Sequence, residues 1–387
     1  MEQFETEIYL RYKQIIERDC HSSSRHDLFA SDIETCKHVS ASLGSCVIPG
    51  SDRESPVSRK TELSSWRAQP DRIQNVSSAA PQSVPMSDLL DRYDAFCFDG
   101  YGTLYNRGSF VYPGAMEWFQ MLRRAKKQIR LVTNAASDID EVLARDADKR
   151  GFDFSTEETI SSGSLLRDLV KQLRLGTSEN ADAGTMNWST AHAGTDALRP
   201  LRKVNEVYYI GRETGKHVLE ACGIKAVAMD AEPAEPIVAV SSAKDTPETF
   251  AQAVKILRRP GALLLVLNSD AWAPKIPDEN GVTQREPVSG ALSERLRRAS
   301  ICENNGGRGA ETYYLGKPFP QIWERVKTSL SPNARVLMIG DTLGTDIFGA
   351  KLAGFDTALV IGRNVPATEL AADETALGIR PDYYLEA

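Results

Sequence analysis

The chain has 387 residues, 41% hydrophobic and 26% charged, with a net charge of −7. That length accommodates two domains with cores of their own, and the acidic balance excludes the basic face that nucleic-acid readers require. No run nears the roughly 18 apolar residues that cross a bilayer, and the first 30 residues lack a charged-then-apolar signal pattern, so a cytoplasmic protein without membrane or nucleic-acid partners is expected.

Residues 1–85 stand apart. They are serine-rich (Ser22-Ser23-Ser24, Ser64-Ser65, Ser77-Ser78), carry Pro56, Pro70, Pro81 and Pro85, and show little periodicity beyond a short amphipathic stretch from Phe4 to Ile16. Their many acids do not suit a transit peptide, and the composition predicts a disordered extension. Met86 directly precedes the first patterned sequence, which raises the expectation that translation starts there.

From Asp94 the pattern becomes strand, turn and helix. Asp94 to Asp99 reads as a strand that ends on a carboxylate and breaks into Gly100-Tyr101-Gly102. Pro113-Gly114 starts a helix whose Trp118, Met121, Leu122 and Ala125 share one apolar face. A strand over Ile129–Val132 ends on Thr133-Asn134, and Ser137 and Asp140 have capping-box spacing ahead of the next helix. Strand and helix follow over 158–175, then a polar stretch from Gly176 to Pro200 that holds Trp188 and His192. They read as a loop anchor and a solvated ring.

A second alternating block begins at Val204. Its strands are Val207–Ile210, Ala226–Met229, Pro236–Val240 and Ala262–Leu267, and a helix runs from Thr246 to Leu257. A helix over Ala291–Arg298 and a flexible turn at Asn304–Gly309 precede Gly316-Lys317-Pro318. The strand Val336–Ile339 then ends on Gly340-Asp341, and Thr357–Ile361 closes the pattern. Repeated β-loop-α units predict a parallel sheet covered by helices on both faces. The divisions are an extension (1–85), a first core part (86–175), an α/β cap (176–290) and a second core part (291–387).

The six cysteines (Cys20, Cys36, Cys46, Cys97, Cys222, Cys302) form no CxxC pair and no metal-ligand spacing, which fits reduced thiols. Cys97 reads as a small buried hydrophobe. Of five histidines only His192 and His217 lie beyond residue 85, which gives little support to a histidine zinc site or a Ser-His-Asp triad.

Asp99, Thr133, Lys317 and the pair Asp341 and Asp346 all lie at strand ends or helix starts, positions that a parallel sheet brings to one edge. Phosphoryl transfer needs a nucleophile, donors to the equatorial oxygens and a magnesium ion. Asp99 can form an aspartyl-phosphate. Thr133 and Lys317 supply a hydroxyl and an ammonium, and Asp341 a hard oxygen ligand for Mg2+.

These motifs resemble the haloacid dehalogenase superfamily, and within it the class IIA phosphatases of NagD and 4-nitrophenyl phosphatase type. Asp99-Gly100-Tyr101-Gly102-Thr103-Leu104-Tyr105 looks like motif I and Thr133-Asn134-Ala135-Ala136-Ser137 like motif II. Gly316-Lys317-Pro318 looks like motif III and Gly340-Asp341-Thr342-Leu343-Gly344-Thr345-Asp346-Ile347 like motif IV. Val207–Gly211 and Leu267-Asn268-Ser269-Asp270 resemble the class IIA cap. The resemblance implies a Rossmann-like core with an inserted α/β cap and a possible homodimer through that cap. It further implies phosphate contacts from Thr133, Asn134 and Lys317. Magnesium would be held by Asp99, Asp341, Asp346 and the main-chain carbonyl of Tyr101, with substrate selection by Asn268 and Asp270.

One position departs from the pattern. The family's phosphatases carry a second aspartate two residues after the nucleophile, which protonates the leaving oxygen, and here that residue is Tyr101. Haloacid dehalogenases proper also read Asp-x-Tyr-Gly-Thr and need no metal. Three readings therefore stand: a Mg2+-dependent phosphatase of a small phosphorylated metabolite, a metal-independent 2-haloacid dehalogenase, and a weakly catalytic module that binds a phosphorylated ligand.

Overall fold

The computed structural model describes residues 81–175, 201–303, 307, 309–377 and 379–385. The stretch Phe4–Ile16, Trp188, His192, Cys20, Cys36, Cys46 and most of the turn at 304–309 lie outside them. Among the described residues no helix is long and apolar enough to cross a membrane.

Among the described residues fourteen strands, β1 to β14, follow in chain order: Gln82–Ser83, Ala95–Phe98, Gln128–Thr133, Thr159–Ser161, Glu206–Ile210, Lys225–Ala226, Ile237–Val240, Leu263–Val266, Trp272–Pro274, Arg285–Pro287, Glu311–Tyr314, Val336–Gly340, Asp356–Val360 and Tyr383–Leu385. The nine α-helices among the described residues, α1 to α9, are Ala115–Arg124, Asp140–Asp148, Ser162–Leu175, Lys216–Glu220, Pro247–Leu257, Ser289–Ala299, Pro320–Ser329, Phe348–Leu352 and Leu370–Leu377.

The larger sheet has seven parallel strands in the order β1-β14-β13-β12-β2-β3-β4. Its interior strand β2, beside the central β12, is buried throughout and reads as a continuous apolar run, as a parallel strand covered on both faces must. Successive side chains go to opposite layers: Phe96 and Phe98 join Phe119, Leu122 and Phe152 on one side, while Ala95 and Cys97 join Leu165, Trp323 and Val326 on the other.

The smaller sheet is also parallel, in the order β11-β8-β7-β5-β6. Leu264 and Val266 of β8 face α5 and α6, whereas Leu263 and Leu265 share a cluster with α3, α4 and the core layer. The two sheets therefore have one apolar layer in common.

The structure differs from the sequence reading at several places. The smaller sheet takes its edge strand from β11 and packs α6, so its layer extends past residue 290 to Tyr314. Both elements alternate as core units do, and only pairing reveals which sheet they join. Residues 82–83 add to the larger sheet beside β14 and Met86 is buried, so ordered chain begins before residue 86. The strand expected over Ala226–Met229 stops at Ala226, and Met229 is exposed. Asp140 takes no part in a capping box. Its carboxylate turns inward, accepting from the Ser161 N–H at 3.1 Å and from the Ser161 and Ser164 hydroxyls at 2.5 Å.

Candidate active site

Asp99 is the first residue past β2. Its N–H donates to the Ile339 carbonyl at 2.9 Å, which fixes it against the end of β12. The register pairing Phe98 with both Leu131 and Ile339 puts Asp99, Thr133 and Asp341 on one edge of the sheet.

Lys317 reaches this edge from the other sheet, three residues after β11 ends. Its Nζ lies 2.7 Å from Asp99 Oδ1, 2.7 Å from Asp346 Oδ1 and 2.8 Å from the Val132 carbonyl. Asp346 Oδ2 accepts from the N–H groups of Asp341 and Thr342, each at 3.1 Å, and so braces the turn that carries Asp341. The Thr342 hydroxyl donates to Asp341 Oδ1 at 3.1 Å, while Asp341 Oδ2 is buried with no partner. Gly102 makes that approach possible. Its φ of +97° is one that residues with a side chain rarely adopt, and a Cβ there would lie 1.9 Å from Asp341 Oδ2.

Carboxylate oxygens of Asp99, Asp341 and Asp346 lie within 4.8 Å of one another, all three residues buried. Hard oxygen donors and an unpartnered buried carboxylate oxygen suit a magnesium ion. The three aspartates form the group that could hold it.

The electrostatics reflect a crowd of acids around one cation. Burial pushes the Asp99 carboxyl up to about 7, with Lys317 opposing and Asp346 and Asp270 reinforcing. Burial likewise raises Asp270 to about 6 and Asp341 well above the usual carboxylate range. For Lys317 burial acts downward, but Asp346, Asp99 and Asp270 outweigh it and hold the ammonium charged.

Of the residues singled out in the sequence, Asp99, Thr133, Lys317, Asp341 and Asp346 meet at this edge. The Asn134 side chain is bonded to Lys317 and Asp270. Its Oδ1 accepts from the Lys317 N–H at 2.7 Å, and its Nδ2 donates to the Lys317 carbonyl at 3.0 Å and to Asp270 Oδ1 at 2.9 Å, so one amide clasps both ends of the Lys317 residue. Asn268 Oδ1 accepts from the Asp270 N–H at 2.8 Å within its own turn, and Asp270 points to Asn134 and Thr345. Tyr101 packs its ring edge-on against Tyr105 with centroids 5.2 Å apart.

Sequence reasoning missed the hairpin of β9 and β10, which walls the site beside Asp341. The Asn106 amide donates to the Pro274 carbonyl at 3.0 Å, Arg107 pairs with Glu286, and Asn364 Nδ2 bonds the Thr342 hydroxyl at 2.7 Å. A short antiparallel pair around a polar tip gives little periodicity; only Asn280-Gly281 hints at a turn.

A family profile for haloacid dehalogenase-like hydrolases matches residues 96–225, and a related hydrolase profile matches 314–387. Together they span all four strand-end motifs. The chain belongs to the haloacid dehalogenase-like hydrolases, in class IIA. It is a phosphatase of that family. Mouse chronophin is 28% identical over 313 residues, covering 79% of this chain and 94% of that protein. The 4-nitrophenylphosphatase of Schizosaccharomyces pombe is 27% identical over 312 residues, 78% and 93% of the two chains. A possible sugar phosphatase from Cytophaga hutchinsonii superposes with a TM-score of 0.60 at 22% identity, over 79% of this chain and 98% of that one. That likeness speaks to the fold.

Proposed function

We propose that this class IIA phosphatase is magnesium-dependent and releases phosphate from a small phosphorylated metabolite through an aspartyl-phosphate on Asp99. The observation that carries the reading is the grouping of Asp99, Asp341 and Asp346 within 4.8 Å, with Lys317 Nζ 2.7 Å from two of them. Relatives described as a 4-nitrophenylphosphatase and a D-glycerol 3-phosphate phosphatase support the substrate class.

The Asp99 carboxylate attacks phosphorus, and the bond to the departing oxygen breaks. Lys317 and Thr133 stand beside the nucleophile to hold the equatorial oxygens as negative charge gathers there. The Asn134 clasp keeps the Lys317 backbone in place, so the ammonium meets that charge without a reorganisation step. Water then attacks the acyl phosphate and restores the carboxylate. A magnesium ion held by Asp99, Asp341, Asp346 and the Tyr101 carbonyl would supply further charge neutralisation.

The test is phosphate release from 4-nitrophenyl phosphate and a metabolite panel, with and without Mg2+, alongside chloride release from 2-chloropropionate. Turnover lost in both EDTA and Asp99→Asn is the expected result. Chloride release that persists in EDTA would overturn the proposal.

A further inference from the structure

We infer that Asn364 is a positioning residue for magnesium and that it ties metal affinity to the docking of the β9–β10 hairpin; this deepens the magnesium-dependent reading above and rests on it. Asn364 lies on the loop that leaves β13, at the same sheet edge as Asp99 and Asp341. Val365 beside it shares a buried cluster with Leu343 and Ile347 of the Asp341 loop, which sets the two loops against each other. The Asn364 side chain is buried, and both hydrogens of its amide are used. Nδ2 donates to the Thr342 hydroxyl oxygen at 2.7 Å and to the Trp272 carbonyl at 3.3 Å.

The partners fix the direction of these bonds. A carbonyl only accepts, so the Asn364 atom facing Trp272 is the amide nitrogen. With Asn364 donating to its oxygen, the Thr342 hydroxyl keeps its one hydrogen for Asp341 Oδ1, at 3.1 Å. Asp341 is therefore held by one oxygen and presents the other. Its Oδ2 is buried without a partner, and so is Asn364 Oδ1. Two buried acceptors lacking donors carry an uncompensated cost, which a magnesium ion with its waters is suited to remove. Without Asn364 the Thr342 hydroxyl loses the donor that orients it, and the carboxylate loses its fixed pose.

The same residue holds the hairpin. Its main-chain carbonyl accepts from Arg285 Nη1 at 3.0 Å, and Arg285 Nη2 continues to Glu369 at 3.1 Å. Trp272 lies on β9 and Arg285 on β10, so Asn364 grips both strands, one through its side chain and one through its backbone. Pro274, at the end of β9, closes on the same spot as the carboxylate: a Cβ at Gly102 would meet Pro274 at 2.9 Å and Asp341 Oδ2 at 1.9 Å. Whatever fastens the hairpin thus also fastens Asp341. Coupling of this kind is reciprocal. A docked hairpin favours bound metal, and bound metal favours a docked hairpin.

The experiment is titration of Mg2+ into the full chain, read by calorimetry and by the rise in Tm, with hydrogen exchange of the hairpin amides followed with and without Mg2+. The hydrogen-bond partners of a metal ligand are worth about 10- to 100-fold in metal affinity. Asn364→Ala and Thr342→Val should each raise the Mg2+ Kd by about that factor, and Thr342→Ser, which keeps the hydroxyl, should keep the wild-type Kd. Combining Asn364→Ala with Thr342→Val should weaken binding no further than the worse single change, because both cut one relay. Arg285→Ala removes only the hairpin side of the grip and should raise the Kd in the same direction. Mg2+ should slow hairpin exchange in the wild type and not in Asn364→Ala. A merely structural role would lower Tm in EDTA and leave the Kd alone. An unchanged Kd in Asn364→Ala or Thr342→Val would overturn the positioning role. An unchanged Kd in Arg285→Ala, or wild-type hairpin exchange indifferent to Mg2+, would overturn the tie to the hairpin. Each of these results leaves the phosphatase standing, whereas a wild-type protein that binds no Mg2+ would overturn the magnesium-dependent reading along with the inference.

Discussion

Asp99→Asn should stabilise the metal-free protein at neutral and alkaline pH. The Asp99 carboxyl is raised from its ordinary 3.8 to about 7, chiefly by burial and further by Asp346 and Asp270. A folded-state value above the unfolded one means that the folded protein holds its proton more tightly. The associated stability is present in full below 3.8 and drains away as pH rises to about 7. At about 1.36 kcal/mol per unit, the shift of about 3 units corresponds to roughly 4 kcal/mol by pH 8. Asparagine keeps the shape without the charge, and Lys317 keeps Asp346 as its partner. A change of this size moves Tm by on the order of 5 °C or more in a protein of this length. Thermal melts in EDTA from pH 4 to pH 8 should therefore show the two proteins together at low pH and the variant above the wild type at pH 8. Magnesium should raise the wild-type Tm more than that of the variant. An Asp99→Asn Tm at or below wild type at pH 8 would refute the picture of an acid cluster short of positive charge.

Three further outcomes follow from the same geometry. Asn134→Ala removes the acceptor for the buried Lys317 N–H, which should cost about 1–3 kcal/mol, read as a lower urea midpoint, and should slow phosphate release. Gly102→Ala puts a Cβ 1.9 Å from Asp341 Oδ2 at a φ of +97°, so the variant should lose both the magnesium-dependent rise in Tm and its turnover. Burial pushes the Cys97 thiol up to about 12, and mass mapping should find it unmodified by maleimide at pH 8 until the protein is unfolded.

The positions of Asp99, Thr133 and Asp341 were legible because each follows a short apolar run, and in a parallel sheet such runs end at one edge. Lys317 was legible by its Gly-Lys-Pro setting, although the strand that delivers it was not. Glu311–Tyr314 is brief, starts on a charge and belongs to a sheet whose other strands alternate as the core strands do. Asn134 shows a different limit. The resemblance implies that Asn134 contacts phosphate, whereas the partners its side chain takes in the fold, Lys317 and Asp270, lie far along the chain. Ser137 and Asp140 offered a local capping box, but the buried Ser161 and Ser164 hydroxyls and Arg325 gave the Asp140 carboxylate stronger partners. Local spacing proposes such bonds, and tertiary packing chooses among them.

The two sheets meet at Asn134, and this limits how the smaller domain can move. Its strand β8 runs out into Ser269 and Asp270, and its edge strand β11 runs out into Gly316 and Lys317. Asn134 Nδ2 reaches Ser269 Oγ at 3.0 Å and Asp270 Oδ1 at 2.9 Å, while its Oδ1 accepts the Lys317 N–H. Both exits are thus fastened to the core loop beside the nucleophile. A rigid swing of the smaller domain about either one would strip a buried amide of its partners, at about 1–3 kcal/mol for each unsatisfied group. Gly316, with its φ of +90° and room for no Cβ within 2.3 Å of Asn134 Oδ1, lies just outside the Lys317 clasp. Backbone rotation there could absorb movement of β11 without pulling the ammonium from Asp99.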